Sequence, residues 1–302
     1  MNARAWLIDA SIYIFRAWFS MPDRWHTAEG MPVNAVYGYA SFLHDFIVRT
    51  SPAGCIAAAF DESLGSCFRN DLYPGYKASR ELPDESLAFQ LNACRELTEL
   101  AGICCFGGPR YEADDYLASL AQVAAGQGVP VTVVTRDKDL GQLLRTGEDQ
   151  WWDFAADQLL NITGFVERFG VRPDQFADYL ALVGDSVDDI PGVPGVGPKT
   201  AAILLQNMDS LENMQGNEAA IAELAVRGAA TLAQKLNGHW PQIQLSQRLA
   251  QLECEVPGVE TLPVFNPSRS AYRDVARYLA SLNLLGPIHN RWQSLADEVA
   301  VP

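Results

Sequence analysis

Nine carboxylates stand where they could act together. Asp9 closes the apolar run AWLID, Asp61 follows CIAAAF, and Asp137 and Asp139 sit in TRDKD just past VPVTVV. Glu112, Asp114 and Asp115 open the helical stretch YEADDYLASL, and Asp185 and Asp188 lie in GDSVDD. Residues three apart on a helical turn share a face, which pairs Glu112 with Asp115 and Asp185 with Asp188. A single acidic first turn could be dipole complementarity or capping, worth under about 1 kcal/mol, but the pattern recurs. Clustered carboxylates at low dielectric repel one another and raise each other's pKa unless cations compensate. Oxygen donors without thiol or imidazole suit Mg2+ or Mn2+ rather than zinc. Two such ions about 3.5–4 Å apart can activate a water and stabilise charge on phosphate and leaving oxygens, which is the chemistry of phosphodiester hydrolysis.

Other schemes lack their residues. An aspartyl nucleophile of the phosphatase type wants a second acid two residues on, where IDASIY has Ser11. His26, His44, His239 and His289 lie outside the acidic clusters without ligand spacing, and no Ser/His/Asp or Cys/His arrangement is apparent. The six cysteines show no CxxC spacing and read as reduced, mostly buried thiols.

The stretch that carries Asp185 and Asp188 continues as IPGVPGVGPKT. Gly192, Gly195 and Gly197 permit tight turns and close backbone approach, and Pro198 suits the first turn of a helix. Backbone N–H groups at that helix start, with Lys199 and Thr200, form a site for a nucleic-acid phosphate, away from the metal site and blind to base sequence. A second positive element is FRNDLYPGYKASR, where Arg69, Lys77 and Arg80 accompany Tyr76, a set able to neutralise phosphate and stack on a base. The formal charge of −15 argues at first against a polyanionic partner. Its distribution reverses that reading, because Lys77, Lys138 and Lys199 all fall inside these motifs and nine of the acids belong to clusters that bound cations would neutralise.

Elements must bring these residues to one place. With 302 residues and 48% hydrophobic content, the chain has enough for a real core. Strands are expected at 5–9, 55–60, 102–106, 129–135 and 149–154, alternating with helical periodicity at 34–49, 85–101 and 113–125. That alternation gives a mostly parallel sheet with helices on both faces, whose ligand edge lies at the carboxyl ends of the strands. Residues 62–84 form a long excursion from the sheet. Past about residue 170 only helices are expected, at 173–183, 198–207, 218–236, 240–252 and 269–284. Pro257, Pro263 and Pro267 mark a loop before the last of them. Asp9 interrupts the apolar start, and no run approaches the roughly 18 residues needed to span a bilayer, so a soluble, cytoplasmic protein without membrane association is expected.

Taken jointly, LIDASIYIFRA, FDES with its later FR, YPGYKASR, YEADD, TRDKD and GDSVDDIPGVPGVGPKTA resemble the 5′-3′ exonuclease and flap endonuclease family, in particular the bacterial form that also occurs as the N-terminal domain of DNA polymerase I. The resemblance is specific from Asp9 to about Leu205 and weaker beyond. It implies an α/β, PIN-like catalytic domain with a mostly parallel central sheet over 1–170, with an arch or clamp at about 62–84. An all-helical DNA-binding region over 171–302 would follow, with a helix-three-turn-helix motif at about 184–206. It further implies that Asp9, Glu112 and Asp114 hold or support a first metal, with Asp61, Asp115, Asp137 and Asp139 around it, and that Asp185 and Asp188 complete a second metal region. Tyr76, Lys77 and Arg80 would cover the 5′ single strand and assist the scissile phosphate alongside Asp115, with Arg16 and Arg69 as basic positions near the site. Carbonyls of the glycine turn would hold a K+ ion while its amides face the duplex. Three positions depart from what is usual in that family: Ala10 for glycine, Arg136 for glycine and Asp189 for asparagine. None removes a ligand. The expectation is an active, monomeric 5′-3′ exonuclease and 5′-flap endonuclease acting on DNA as a separate protein, since no polymerase or proofreading module follows. A DNA-structure-binding protein with lapsed chemistry and a PIN-like nuclease acting on RNA remain the alternatives.

Overall fold

The computed structural model describes residues 4–51, 54–226, 228–266 and 268–298; Pro267, one of the three loop prolines, lies outside them. The chain runs β1 (Arg4–Asp9), α1 (Ala10–Ser20), α2 (Asn34–Thr50), β2 (Gly54–Ala59), α3 (Phe68–Leu72), α4 (Glu85–Leu100), β3 (Cys104–Phe106), α5 (Ala113–Gly126), β4 (Val131–Val134), β5 (Gln150–Asp153), β6 (Gln158–Leu160) and α6 (Ile162–Phe169). The helical part follows as α7 (Phe176–Val183), α8 (Pro198–Met208), α9 (Leu211–Met214), α10 (Glu218–Ala222), α11 (Ala229–Ala250), α12 (Arg269–Ser281) and α13 (Pro287–Glu298).

The strands form one sheet in the order β3-β2-β1-β4-β5-β6, parallel except for β6, which returns antiparallel to β5. Leu7, Ile8, Val133 and Val134 are fully buried, and both sheet faces are covered, which explains why β1 and β4 read as continuous apolar runs rather than alternating ones. The register sets Asp9 beside Ala59 and Ile8 beside Val134, so the loops after β1, β2 and β4 leave the sheet at one edge. β6 is short and half solvated, and carried no alternating signal to find.

Two buried clusters flank the sheet. One joins α5 to the helical part through residues such as Leu117, Phe165, Phe176, Leu204 and Ile243. The other holds α1, α2 and α4, and to it the chain adds its last two helices: Tyr272, Val275 and Trp292 pack there, and Trp292 Nε1 donates to Ala40 O at 3.2 Å. Helices α12 and α13 therefore pack with the sheet layer, although they lie within the 171–302 stretch expected to form the helical DNA-binding region. The helices expected at 218–236 and 240–252 are also redrawn. The first ends at Ala222, and α11 starts after Gly228, held at φ 74°, and continues through Pro241 because Leu236, Trp240 and Ile243 bury its face on both sides of the missing N–H.

Candidate functional site

The carboxylates converge at the carboxyl edge of the sheet. Asp9 ends β1 and caps α1, accepting from Ile12 N at 3.4 Å, while Thr135 Oγ1 donates to its other oxygen at 2.8 Å. The same Thr135 hydroxyl accepts from Asp137 N at 2.9 Å, and Asp139 N donates to Asp137 Oδ1 at 2.9 Å, so one threonine ties the loop after β4 to the end of β1. Asp61, just past β2, is oriented by the Ser63 hydroxyl at 3.0 Å. Glu112 caps α5, where the helix N-terminus favours negative charge.

Two ammonium groups bind this edge together. Lys77 Nζ contacts Glu112 directly and stands 3.6 Å from Asp188 Oδ2. Lys138 Nζ donates to Asp185 Oδ2 at 2.5 Å and lies 3.2 Å from Asp139 Oδ1. Arg80 reaches Asp188 Oδ1 at 2.5 Å. Asp185 and Ile190 exchange backbone hydrogen bonds of 2.9 and 2.8 Å, which closes the acidic loop and points Asp185 at the sheet.

Electrostatics divide the acids into two groups. Burial, then the nearby Asp137 charge, pushes Asp9 up to about 7. Burial and Asp137 likewise push Asp139 up to about 7. Asp114 is raised well above the ordinary carboxylate range by burial and by Asp137 and Asp9, and Asp188 is raised by burial against the pull of Lys77 and Arg80. Burial would raise Glu112 too, but Lys77 and Arg69 together hold it below its ordinary value; for Asp185, Lys138 does the same. Carboxylates with raised pKa values gathered at one edge of the sheet are poised to exchange protons for metal. Asp139 Oδ1 is buried and makes no hydrogen bond. With oxygen donors from Asp9, Asp61, Asp114, Asp137, Asp139 and Asp188 in reach of one another's charge, the set fits hard divalent ions.

Three expected roles change. Asp115 is 0% exposed and faces away from the edge: its oxygens accept from Arg69 at 2.7 and 2.8 Å, from Glu112 N at 3.0 Å and from Glu253 N at 2.9 Å. All its acceptor capacity is used inside the protein, so it supports Glu112 rather than meeting an ion or a substrate. Arg69 is 2% exposed; besides Asp115 it donates to Glu112 Oε2 at 2.9 Å and to the Leu249 and Gln251 carbonyls, each at 2.9 Å. It cannot face DNA. Tyr76 is buried as well, its hydroxyl donating to Glu112 Oε2 at 2.8 Å, so it positions a carboxylate instead of stacking on a base.

The expected excursion is docked rather than open. Ser79 N and Oγ donate to Asp189 Oδ2 at 2.9 and 2.7 Å, and Lys77 N donates to Asp188 O at 3.0 Å. Of the unusual residues, Ala10 is buried at the head of α1, Asp189 receives Ser79, and Arg136 turns to Asp153 at 3.0 Å. Arg16 is exposed on α1. At the glycine turn, Gly192 crosses the end of α7 where an added Cβ would meet Val183 O at 2.2 Å, Gly195 holds φ 80°, and Gly197 caps α8 with Pro198 at its first turn. Lys199 is exposed and Thr200 half-buried there. The carbonyls of Pro191 and Pro194 already accept from this chain's own side chains, so the expected K+ ion does not fit the turn as folded.

Sequence reasoning missed an apolar groove of about 550 Å3 beside Asp61 and Arg80, lined by Phe15, Trp18, Phe19, Leu82 and Pro83. Phe19 is 81% and Leu82 73% exposed. The available signal was Phe15 and Phe19, one helical turn apart on the helix that follows Asp9.

A family model described as 5′-3′ exonuclease, N-terminal resolvase-like domain, matches residues 4–170, and one described as 5′-3′ exonuclease, C-terminal SAM fold, matches residues 171–270. DNA polymerase I of Rhizobium leguminosarum is 35% identical over 257 residues, 83% of this chain and 24% of that protein. Thermostable DNA polymerase I of Thermus aquaticus is 36% identical over 85% of this chain and 29% of its own length. The 5′-3′ exonuclease of Aquifex aeolicus is 35% identical over 70% of this chain and 72% of its own. The chain thus spans 24% and 29% of the two polymerase relatives. Among solved structures, T5 5′-exonuclease with bound zinc superposes with TM-score 0.65 at 17% identity, covering 98% of each chain. The catalytic core of Rad2 with DNA substrate gives 0.64 at 15% identity, covering 97% of this chain and 91% of its own. At these identities the two share the fold. Among the described residues no helix is long and apolar enough to cross a membrane.

Proposed function

The chain belongs to the 5′-3′ exonuclease family, and from that premise we propose that it is a divalent-metal-dependent nuclease that trims DNA from 5′ ends and cuts 5′ flaps near the junction of single and double strand. The observation that carries this reading is the meeting of carboxylates from the ends of β1, β2 and β4, the start of α5 and the 185–188 loop, bridged by Lys77 and Lys138. Two divalent ions held by Asp9, Asp61, Glu112, Asp114, Asp137, Asp139, Asp185 and Asp188, Mg2+ or Mn2+ by the hardness of these donors, would lower the pKa of an attacking water and stabilise charge on the scissile phosphate.

The chain's own groups do the positioning. Thr135 fixes Asp9, and Tyr76 with Arg69 holds Glu112 by one oxygen, leaving the other toward Lys77. Lys77 and Arg80 bring the clamp's positive charge to Asp188 at the acidic edge; a phosphate arriving there exchanges their carboxylate partners for its own charge. The groove beside Asp61 takes an unstacked base against Phe15 and Phe19, the role Tyr76 cannot fill. The sheet layer does the chemistry with residues 62–84 as its clamp, and the helical part grips duplex backbone at the start of α8 through amides, Lys199 and Thr200.

A 5′-labelled flap duplex incubated with magnesium, with manganese and with EDTA tests this reading. Products mapped to the flap junction and lost in EDTA are expected, with DNA flaps cut faster than RNA or hybrid flaps at one fixed salt concentration. Binding without cleavage in both metals would leave a DNA-structure-binding protein; preference for RNA flaps would move the activity to RNA.

A further inference from the structure

One lysine lies outside every motif read from the sequence, and it ends at the glycine turn. Lys235, on α11, donates from Nζ to Pro194 O at 2.7 Å. The next residue, Gly195, holds φ 80°, and a Cβ there would lie 3.1 Å from that nitrogen, so the glycine both forms the turn and leaves room for the ammonium. Two more residues along α11 act on the same loop: Gln242 Nε2 and Ser246 Oγ each donate to Pro191 O at 2.7 Å. Ile190 O and Val193 O are also engaged, by Asp185 N and Val196 N. A monovalent ion coordinated by the carbonyls of Pro191 and Pro194 would have to displace three side-chain donors.

Lys235 differs from the lysines of the acidic edge. Lys77 and Lys138 are each shared between two carboxylates, whereas the Lys235 bond is to a neutral carbonyl, and among the described residues Lys235 forms no ion pair. An ammonium carries three N–H donors, so two remain for another acceptor. The neighbouring turn residues lead straight into α8, whose first amides precede the earliest helical bond, Ala201 N to Gly197 O. We propose that Lys235 supplies from within the chain the cation expected of potassium at this turn, and that its ammonium contacts the duplex phosphate held at the start of α8, a role that rests on the duplex grip proposed above. Duplex affinity is then indifferent to which monovalent cation is in solution.

The test measures anisotropy of a labelled 5′-flap duplex with the full chain, calcium replacing magnesium to hold off cleavage, in potassium, sodium or tetramethylammonium chloride at equal ionic strength. Affinities agreeing within about twofold across the three salts are expected. Lys235→Met should weaken binding about five- to tenfold and lower the slope of log Kd against log salt by about one, while Lys235→Arg restores most of both. Binding several-fold tighter in potassium, or a Lys235→Met protein equal to the unsubstituted one in affinity and slope, overturns the proposal while leaving the nuclease reading intact. The comparison of salts needs no variant, so it decides even where Lys235→Met folds poorly. No binding of the flap duplex in any salt would overturn the grip itself and this role with it.

Discussion

Arg69 holds Asp115 by two guanidinium hydrogen bonds of 2.7 and 2.8 Å, and both side chains are almost wholly removed from solvent. Breaking a buried pair from one side leaves an uncompensated charge, which costs about 3–5 kcal/mol. Arg69→Met should lower the midpoint of denaturant unfolding by that measure, and Arg69→Lys should not rescue it, because an ammonium cannot fork onto Asp115 while reaching Glu112 and two carbonyls. Equal stability of Arg69→Met and the unsubstituted protein would remove Arg69 as the internal support of Glu112. Asp115→Asn loses stability by the same logic, so it is a poor probe of chemistry.

Ser79 makes two hydrogen bonds to Asp189, and both Lys77 and Asp189 hold left-handed backbone at φ 50° and 55°. Non-glycine residues keep that conformation only where neighbours enforce it. Asp189→Ala removes the two bonds, worth about 1–2 kcal/mol together, and should release residues 73–83, read as several-fold faster limited proteolysis there with the remainder of the chain resistant. An unchanged cleavage pattern would mean that the clamp is held by Lys77 and Arg80 alone.

Asp9 and Asp139, both pushed from the ordinary 3.8 up to about 7, give a pH dependence of definite sign. Between about pH 4 and 7 the folded protein without divalent ions binds protons at these groups that the unfolded chain does not, so its stability falls as pH rises through that window. Glu112 and Asp185, held low, act oppositely, but only as pH falls through the usual carboxylate range and below. Magnesium must displace the protons on Asp9 and Asp139, so it should raise the Tm more at pH 8 than at pH 5.5. A magnesium shift independent of pH would contradict the assignment.

Gly192 leaves no space for a side chain, with Val183 O 2.2 Å and Gly184 N 2.6 Å from an added Cβ. Gly192→Ala must push the turn off the end of α7, at a cost of about 1–3 kcal/mol or more, and should weaken duplex binding with little effect on magnesium affinity. Binding at full strength would show that the turn does not grip DNA.

The strand-end acids, the glycine turn and the parallel sheet were legible because each depends on local pattern: apolar runs ending in Asp, or Gly and Pro at fixed offsets. What escaped depends on contacts distant in sequence. Nothing near Arg69 in the chain shows that the end of α11 will close over it, or near Tyr76 that its hydroxyl will turn inward to Glu112, so both read as exposed DNA-facing groups. The return of α12 and α13 to the sheet layer is set by Trp292 and Tyr272 filling a face that α2 and α4 leave open. Lys235 was invisible for the same reason: its partner lies on another element, and its own surroundings in sequence are an ordinary amphipathic helix.

The central claim, that the gathered carboxylates do the chemistry, is tested most directly by single-turnover cleavage of a 5′-flap duplex by Asp139→Asn in saturating magnesium. Among the described residues, Asp139 offers a buried oxygen without a hydrogen bond, caps no helix, and shares its one ion-pair partner, Lys138, with Asp185, so the variant should fold and bind the flap within about threefold of the unsubstituted protein while cutting it at least about a hundredfold more slowly. Cleavage at the unsubstituted rate by a folded Asp139→Asn protein would contradict the account.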